Sequence, residues 1–269
     1  MSMPAGRPLT IHCTGPFPLP DAPSGDAPLG AGHVHVWTST LGAQRTAISA
    51  LHALLDEEEK ARAGRFRFDH DRERFIIAHG ILRTLLGRYL DTAPFEVRMG
   101  RGPYGKPFVE GTDLRFNLSD TKDAVVLALT RGQEIGADIE TMARTVDHIA
   151  VSEHYFTPDE IDSIRTAGNE ALEKRRFLEL WTRKEAVLKA SGVGIMDDLR
   201  VLRVGDPLNA MTITHEAFVR DAAAEYHVST WHLGNDHIIS LASPERIDRV
   251  VFRQAWSLTP PRPRSVGGS

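Results

Sequence analysis

Three side chains that could take part in binding or catalysis stand four residues apart within residues 177–194, FLELWTRKEAVLKASGVG. Apolar residues recur there at spacings of three, four and seven, which predicts a helix, and two glycines follow its last turn. Trp181, Glu185 and Lys189 therefore form one column along the helix. An aromatic ring, a carboxylate and an ammonium in one column indicate a candidate site. The alternative is an ordinary amphipathic helix whose Glu185–Lys189 surface pair contributes about 0.3–0.5 kcal/mol.

Two further carboxylates lie upstream on a predicted strand, EIGADIE, residues 134–140. The strand period of two places Asp138 and Glu140 on one side. Together with Glu185, the chain then offers three carboxylates, a set that suits a hard cation. Mg²⁺ in particular takes a few carboxylates together with waters and substrate phosphates. A strand edge with a charged outer face would give the same pattern, so both interpretations stay open.

Basic residues cluster ahead of and along a second predicted helix, residues 68–90. The set consists of Lys60, Arg65, Arg67, Arg74 and Arg83. Arginine guanidinium groups match phosphate oxygens in geometry, which makes the cluster a candidate phosphate-binding surface. Acidic residues are interleaved with these cations, so a solvated helix face is the alternative.

The segment GRGPYG, residues 100–105, matches G-x-G-x-x-G by letter but does not predict a dinucleotide site. That motif must open a helix whose N-terminus holds the pyrophosphate. Pro103 and the following Lys106-Pro107 predict a turn-rich loop instead. Downstream, residues 114–130 predict two strands joined by a polar turn.

Bulk composition restricts the class of protein. The chain has 269 residues, 41% hydrophobic and 25% charged, which is typical of a globular protein. A formal net charge of −4 gives no support to a nucleic-acid partner. Cys13 is the single cysteine, so no intrachain disulfide can form. The longest strongly apolar run, residues 124–129, is too short to cross a membrane, and we predict a cytoplasmic protein.

The remaining elements follow from local patterns. We predict a flexible N-terminal arm over residues 1–32, because Pro, Gly, Ala and Asp dominate it, and a disordered tail over 256–269. Residues 33–40 predict a strand with one half-exposed face that carries His33, His35 and Trp37. The other predicted elements are helices at 46–63 and 157–166 and strands at about 199–204, 210–215, 226–232 and 237–242.

Three motifs occur in a fixed order: Gly-Lys-Pro followed by FNLS, then GADIE, then WTRKEAVLKASGVG. In this order they resemble the 4′-phosphopantetheinyl transferases, specifically the surfactin-synthetase-activating type. The resemblance covers roughly residues 35–245. It implies an α+β fold of two similar α/β halves, at 33–135 and 136–255, related by a pseudo-twofold with coenzyme A in the cleft between them.

The resemblance also implies an activity. A monomer would transfer the 4′-phosphopantetheine arm of coenzyme A to a serine of an acyl, peptidyl or aryl carrier protein, releasing 3′,5′-ADP. Mg²⁺ would be the metal, with Mn²⁺ as a substitute, and its ligands would be Asp138, Glu140 and Glu185. Glu185 and Lys189 would act in catalysis. The implied coenzyme A contacts are Lys60, Arg65, Arg74, Gly105, Lys106, Pro107, Ser119, Lys184 and Lys189.

One residue departs from the family pattern. The family has a histidine after FNLS that is associated with the 3′-phosphate of coenzyme A, and this chain has Asp120. An aspartate that faces a phosphate would repel it by about 1 kcal/mol at 4 Å in bulk water. The departure keeps an alternative open, a non-catalytic homologue that binds coenzyme A or a carrier protein.

Overall fold

A computed structural model describes residues 6–20, 28–194, 196 and 198–255. The strands are β1 Arg7–Pro18, β2 His33–Thr40, β3 Met99–Arg101, β4 Pro107–Val109, β5 Leu114–Asp120, β6 Ala124–Arg131, β7 Gly136–Thr141, β8 Leu208–Ile213, β9 Glu225–Leu233, β10 His237–Ser243 and β11 Arg249–Gln254. The helices are α1 Leu41–Gln44, α2 Ile48–Ala53, α3 Glu57–Ala63, α4 Asp69–Leu90, α5 His148–Tyr155, α6 Pro158–Arg165, α7 Glu170–Ser191 and α8 Glu216–Asp221. The fold is therefore mixed α+β.

Two compact units divide the chain. The first, which we call the sheet unit, comprises Met1–Thr38 and Met99–Arg253, and the second, the helical unit, comprises Ser39–Arg98 and Gln254–Ser269. These units differ from the predicted halves at 33–135 and 136–255. Because the predicted halves are defined by internal similarity, compactness does not test them, and the pseudo-twofold stays a prediction.

A five-stranded sheet in the order β7-β10-β9-β1-β8 forms the centre of the sheet unit. β1 pairs parallel with β9, and the other neighbours are antiparallel. Helix α7 packs on one face, where Phe177 and Val187 meet strand residues such as Ile11 in one apolar core. The opposite face packs on a second sheet, β11-β2-β6-β5, through residues that include Val126 and Ile139.

Strand alternation in β7 fixes which side each carboxylate takes. Ala137 and Ile139 are buried in the core between the two sheets. Asp138 and Glu140 must therefore point to the other face, where α7 lies. The predicted alternation of this strand is confirmed.

Helix α7 spans the predicted segment. Asn169 caps its N-terminus through a side-chain bond to the Leu172 amide, and Gly192 ends it with φ 70°, a conformation that suits glycine. Most of the flanking side chains are buried, whereas Trp181, Glu185 and Lys189 are only half-buried. The predicted column is therefore the side of the helix that stays open along its length.

The N-terminal arm is the clearest correction to the sequence-based prediction. Arg7–Pro18 is not loose; it forms β1, between β9 and β8. Leu9, Ile11 and Cys13 alternate into the core, each at most 5% exposed. The partner strands lie about 200 positions away in sequence, so no local pattern reveals the pairing. The rest of the predicted arm includes residues outside the described part of the chain, as does the predicted tail 256–269.

The predicted helix 46–63 is also wrong, because the helical unit breaks it in two. The chain leaves α2 after Ala53, and Asp56 begins α3 with a capping box in which its side chain bonds the Glu59 amide and Glu59 bonds back. The acidic run DEEE therefore starts a helix instead of continuing one. Arg83 of α4 is fully buried and ion-pairs with both Asp56 and Glu59, which ties α3 to α4.

Smaller differences concern the sheet unit. The predicted strand at 199–204 is a short 3₁₀ turn, Leu199–Val201, while the predicted strands at 210–215, 226–232 and 237–242 correspond to β8, β9 and β10. The expected half-exposed face of 33–40 is wrong, since His35 is 2% and Trp37 is 4% exposed. Within the described residues, no helix is long and apolar enough to span a membrane.

Candidate active site

The centre of the candidate site is a three-way contact between β5, β7 and α7. The Lys189 Nζ donates to Asp138 Oδ1 at 2.5 Å and to Ser119 Oγ at 2.9 Å. The Ser119 hydroxyl donates to the same Asp138 oxygen at 2.8 Å. Each of the three residues comes from a different sequence motif, and the structure brings them into mutual hydrogen-bond distance.

Asn117 fixes the strands that make this contact possible. Its Oδ1 accepts a hydrogen bond from the Ala137 amide at 2.8 Å, which links β5 to the start of β7 although the two strands belong to different sheets. Ser119 follows two residues later on the same face of β5 and so meets Asp138. In the sequence, Asn117 belongs to the FNLS motif, two residues before Ser119, and no role was predicted for it.

Arg144 is a second cation that contacts a carboxylate of the site. Arg144 ion-pairs with Glu140, and its guanidinium carbon lies 5.3 Å from the centre of the Trp181 ring. Trp181 in turn packs on Phe177 and Tyr155. The Trp181 ring therefore packs against Arg144, which in turn ion-pairs with Glu140. Sequence reasoning missed Arg144, because it follows the end of β7, where the strand pattern no longer predicts direction.

Burial and nearby negative charge disfavour the ionised forms of Glu140 and Glu185. Burial first, and then the charge of Asp138, raise the pKa of Glu140 to about 7, against the opposing effect of Arg144. The same two causes raise the pKa of Glu185. Asp138 is 5% exposed, and its Oδ2 is buried with no hydrogen-bond partner. Excess negative charge and an unsatisfied buried oxygen are both relieved by a bound cation, so the donor set fits a metal.

The carboxylates are not gathered into a closed ligand shell. Among the described residues, the group of three ligand side chains whose donor atoms lie within 4.8 Å of one another is a different one, in β1 and β9. Here Asp138 is directed to Lys189 and Glu140 to Arg144. These two cations hold the carboxylates in the structure.

Lys184 does not join the site, which corrects the expectation that it contacts phosphates. Its side chain is fully buried, and its Nζ ion-pairs with Glu160 at 2.8 Å. The same ammonium donates to the carbonyls of Leu199 at 2.9 Å and Tyr155 at 3.2 Å. An ammonium has three protons, and all three are used. Lys184 is a structural residue that ties α7 to its neighbours.

The Gly-Lys-Pro motif lies at a tight hairpin between β3 and β4. Gly105 has φ 82°, which suits glycine, and Pro107 begins β4. The Lys106 side chain turns inward: its Nζ contacts Glu134 at 2.5 Å and the carbonyls of Ile135 and Ala190 at 3.1 and 3.3 Å. Lys106 therefore anchors the hairpin to the start of β7 and the end of α7.

The remaining predicted phosphate contacts belong to the helical unit. Lys60 pairs with Glu57 at 2.8 Å, and Arg74 pairs with Asp71 at 2.9 Å. Arg65 is exposed. Each of these side chains lies on or beside α3 and α4, as the sequence indicated.

Asp120 lies one residue beyond Ser119 at the end of β5 and is exposed. Because Ser119 points to Asp138, strand alternation directs Asp120 to the opposite face of β5.

The mixed α+β fold is consistent with the comparisons with known proteins. Residues 134–242 match the family model described as the 4′-phosphopantetheinyl transferase superfamily. Residues 37–131 match the model described as 4′-phosphopantetheinyl transferase, N-terminal.

Individual relatives give the same result. The chain is 37% identical over 167 residues to the 4′-phosphopantetheinyl transferase HetI of Nostoc sp., covering 60% of this chain and 70% of that one. It is 34% identical over 206 residues to a phosphopantetheinyl transferase of Thraustochytrium sp., covering 71% of each. A 4′-phosphopantetheinyl transferase of Bacillus subtilis is 28% identical over 145 residues, 53% of this chain and 62% of that one. The chain belongs to the 4′-phosphopantetheinyl transferase superfamily and is an enzyme of that transferase family.

Proposed function

We propose that this enzyme transfers the 4′-phosphopantetheine arm of coenzyme A to a serine of an acyl, peptidyl or aryl carrier protein. The reaction releases 3′,5′-ADP, and the enzyme is of the surfactin-synthetase-activating type. One observation carries the proposal. Ser119 of FNLS, Asp138 of GADIE and Lys189 of the WTRKEA helix, three motifs far apart in sequence, contact one another.

Asp138, Glu140 and Glu185 would hold Mg²⁺, with Mn²⁺ as a substitute. The unsatisfied Asp138 Oδ2 and the raised pKa values of the two glutamates support this assignment. When bound, the cation neutralises negative charge on the pyrophosphate of coenzyme A. Two hydrogen-bond partners fix Lys189 beside these carboxylates, so its ammonium is placed to balance charge on the transferred and leaving phosphate oxygens.

The transfer forms one phosphorus–oxygen bond and breaks another. The carrier serine oxygen forms a bond to the β-phosphorus of coenzyme A, and the bond from that phosphorus to the oxygen that bridges to the α-phosphorus breaks. The bridging oxygen leaves with 3′,5′-ADP. The serine proton goes to Glu185, or to a water that Glu185 holds. Burial raises the pKa of Glu185 in the metal-free chain, whereas a bound cation would lower the proton affinity of this carboxylate.

The resemblance to the family supplies the proposed contacts to coenzyme A. The proposed contacts are Lys60, Arg65, Arg74, Gly105, Lys106, Pro107, Ser119 and Lys189. Because the Lys106 ammonium is bound to Glu134, Lys106 would contribute its backbone and its aliphatic chain at the adenine end. Lys184 is removed from the set, since its three donors are already used. We expect the enzyme to act as a monomer in the cytoplasm.

Intact-mass spectrometry of an apo carrier protein, incubated with the enzyme, coenzyme A and Mg²⁺, tests the proposal. We expect a mass gain of one phosphopantetheine that is lost when a chelator is added. Acyl, peptidyl and aryl carriers should be tested in parallel. Calorimetric binding of coenzyme A without any mass gain on these carriers would favour the non-catalytic homologue instead.

A further inference from the structure

A second group of metal-ligating side chains lies on the face of the five-stranded sheet opposite α7. His12 Nε2 lies 2.7 Å from Glu225 Oε1, and His227 Nε2 lies 3.5 Å from the same oxygen. The two imidazole rings stack with centroids 4.8 Å apart and an interplanar angle of 11°. No step of the proposed transfer uses these residues.

The backbone places these three side chains together. His12 of β1 is the direct register partner of His227 of the parallel strand β9. Glu225 precedes His227 by two residues and so shares its face. The intervening Tyr226 points into the core at 1% exposure. Since the alternate residues are fixed by the core, the cluster cannot rotate to the other face of the sheet.

The cluster is also accessible. The side chains of His12, Glu225 and His227 are 37%, 52% and 28% exposed.

We propose that His12, Glu225 and His227 form a binding site for a divalent cation of the Zn²⁺ class. Their donor atoms all lie within 4.8 Å of one another. Both Nε2 atoms lie within 3.5 Å of one carboxylate oxygen, so the three donor groups share one side of the sheet. Two imidazoles and a carboxylate suit Zn²⁺, whereas Mg²⁺ prefers oxygen ligands alone. Three protein ligands leave the fourth position of a tetrahedral site to water.

Two of the three donor separations are near the value for a tetrahedral site, whereas the two imidazole nitrogens, which lie within 4.8 Å of each other, must approach more closely. Ligands at about 2.0–2.2 Å from Zn²⁺ stand roughly 3.3 Å apart in a tetrahedron. The contact from His227 to Glu225 is already 3.5 Å, and the 2.7 Å contact from His12 must open slightly. Glu225 is the most exposed of the three, so its side chain is free to make that change.

A cation bound at this site would link β1 to β9 and so stabilise the position of the N-terminal strand in the sheet. His12 is more than 200 positions from Glu225 and His227 in sequence, so the donors meet only in the folded chain. A cation that binds the folded chain but not the unfolded one raises the melting temperature as its concentration increases. This inference does not rest on the proposed transfer reaction, and its test does not use activity.

Calorimetric titration of the full chain with zinc chloride tests the site, after chelator treatment and with excess Mg²⁺ present. We expect saturable binding of one Zn²⁺ and a rise in melting temperature. His12→Gln and His227→Gln should each weaken binding at least about tenfold, since even changes beyond the first ligands cost that much. His70→Gln is the matched control, because His70 is exposed and belongs to the helical unit. It should bind Zn²⁺ as the unmodified chain does.

A measurement on the unmodified chain covers the case in which the variants do not fold. Diethyl pyrocarbonate modifies accessible imidazoles, and peptide mass spectrometry locates each modified histidine. We expect Zn²⁺ to protect His12 and His227 but not His70, and Mg²⁺ to protect none of them. Absence of saturable Zn²⁺ binding would overturn the proposal. So would binding that both variants leave intact, or equal modification of His12 and His227 with and without Zn²⁺.

Discussion

Helix α7 contributes the lysines of two lysine–carboxylate ion pairs, which differ in burial and in whether all their polar atoms have partners. Lys184 and Glu160 are 0% and 3% exposed, and every proton of the ammonium has a partner. Lys189 lies on the open side of the helix, and its partner Asp138, in β7, keeps one buried oxygen without a hydrogen-bond partner. The first pair is closed and therefore structural. The second is incomplete, and an incomplete buried polar cluster indicates a site where something binds.

The local sequence pattern predicts the position of Lys189 but not that of Lys184. The helical period placed Lys189 in a column with Trp181 and Glu185, and the structure confirms that column. Lys184 stands one position before Glu185, on a buried side of the helix, and its partner Glu160 lies in another helix. Nothing in the local pattern distinguishes a lysine that reaches solvent from one that reaches a buried glutamate 24 positions away.

The largest expected effect concerns the open pair. Asp138→Asn keeps the size of the side chain but removes the charge that Lys189 contacts and the proposed metal ligand. We expect transfer to fall by at least about a hundredfold, the scale of losing one electrostatic group from an active site. Intact-mass transfer assays and circular dichroism measure this. Asp113→Asn, an exposed partner of Arg131, is the control and should transfer normally. A near-normal rate for Asp138→Asn would remove Asp138 from the site.

Substitution in the closed Lys184–Glu160 pair should lower the free energy of unfolding. Lys184→Met leaves Glu160 buried without its partner, which costs about 3–5 kcal/mol in the free energy of unfolding. Adding Glu160→Gln should recover part of that loss, because the uncompensated charge is gone. Urea unfolding followed by fluorescence measures both variants. A Lys184→Met protein that unfolds like the original chain would show that the pair is not structural.

Glu140 should make stability depend on pH in the metal-free protein. Its pKa rises from 4.5 to about 7 on folding, so the folded chain binds more protons between these values. The free energy of unfolding therefore falls as pH increases from 4.5 to 7, by at most about 1.4 kcal/mol per pH unit from this group. Glu140→Gln should flatten this part of the profile, measured by urea unfolding in chelator. Parallel profiles for the two proteins would contradict the raised pKa.

The smallest effect is expected at Asp120. If this carboxylate faces the 3′-phosphate of coenzyme A, Asp120→His removes a repulsion of about 1 kcal/mol, which corresponds to roughly fivefold tighter binding. Asp120→Asn separates the loss of negative charge from the gain of an imidazole. Calorimetry with coenzyme A measures both. Unchanged or weaker affinity in both variants would show that Asp120 does not face that phosphate.

Short-range periodicity was enough to predict the carboxylates of β7, the α7 column and the C-terminal end of that helix, because each depends on neighbours within a few residues. It could not predict β1, whose Pro- and Gly-rich flanks resemble a loose arm while its partners, β8 and β9, lie near the other end of the chain. Arg144 was missed for a related reason. Its role depends on Trp181, which only the folded chain brings near.

We propose that transfer depends on the open Lys189–Asp138 pair and not on the closed Lys184–Glu160 pair. The most direct measurement is the single-turnover transfer rate of Lys189→Met by intact-mass spectrometry, at the same concentration of folded protein as the original chain. We predict a loss of at least about a hundredfold, with the far-ultraviolet circular dichroism unchanged. Transfer by Lys189→Met within a few-fold of the original rate would contradict the claim.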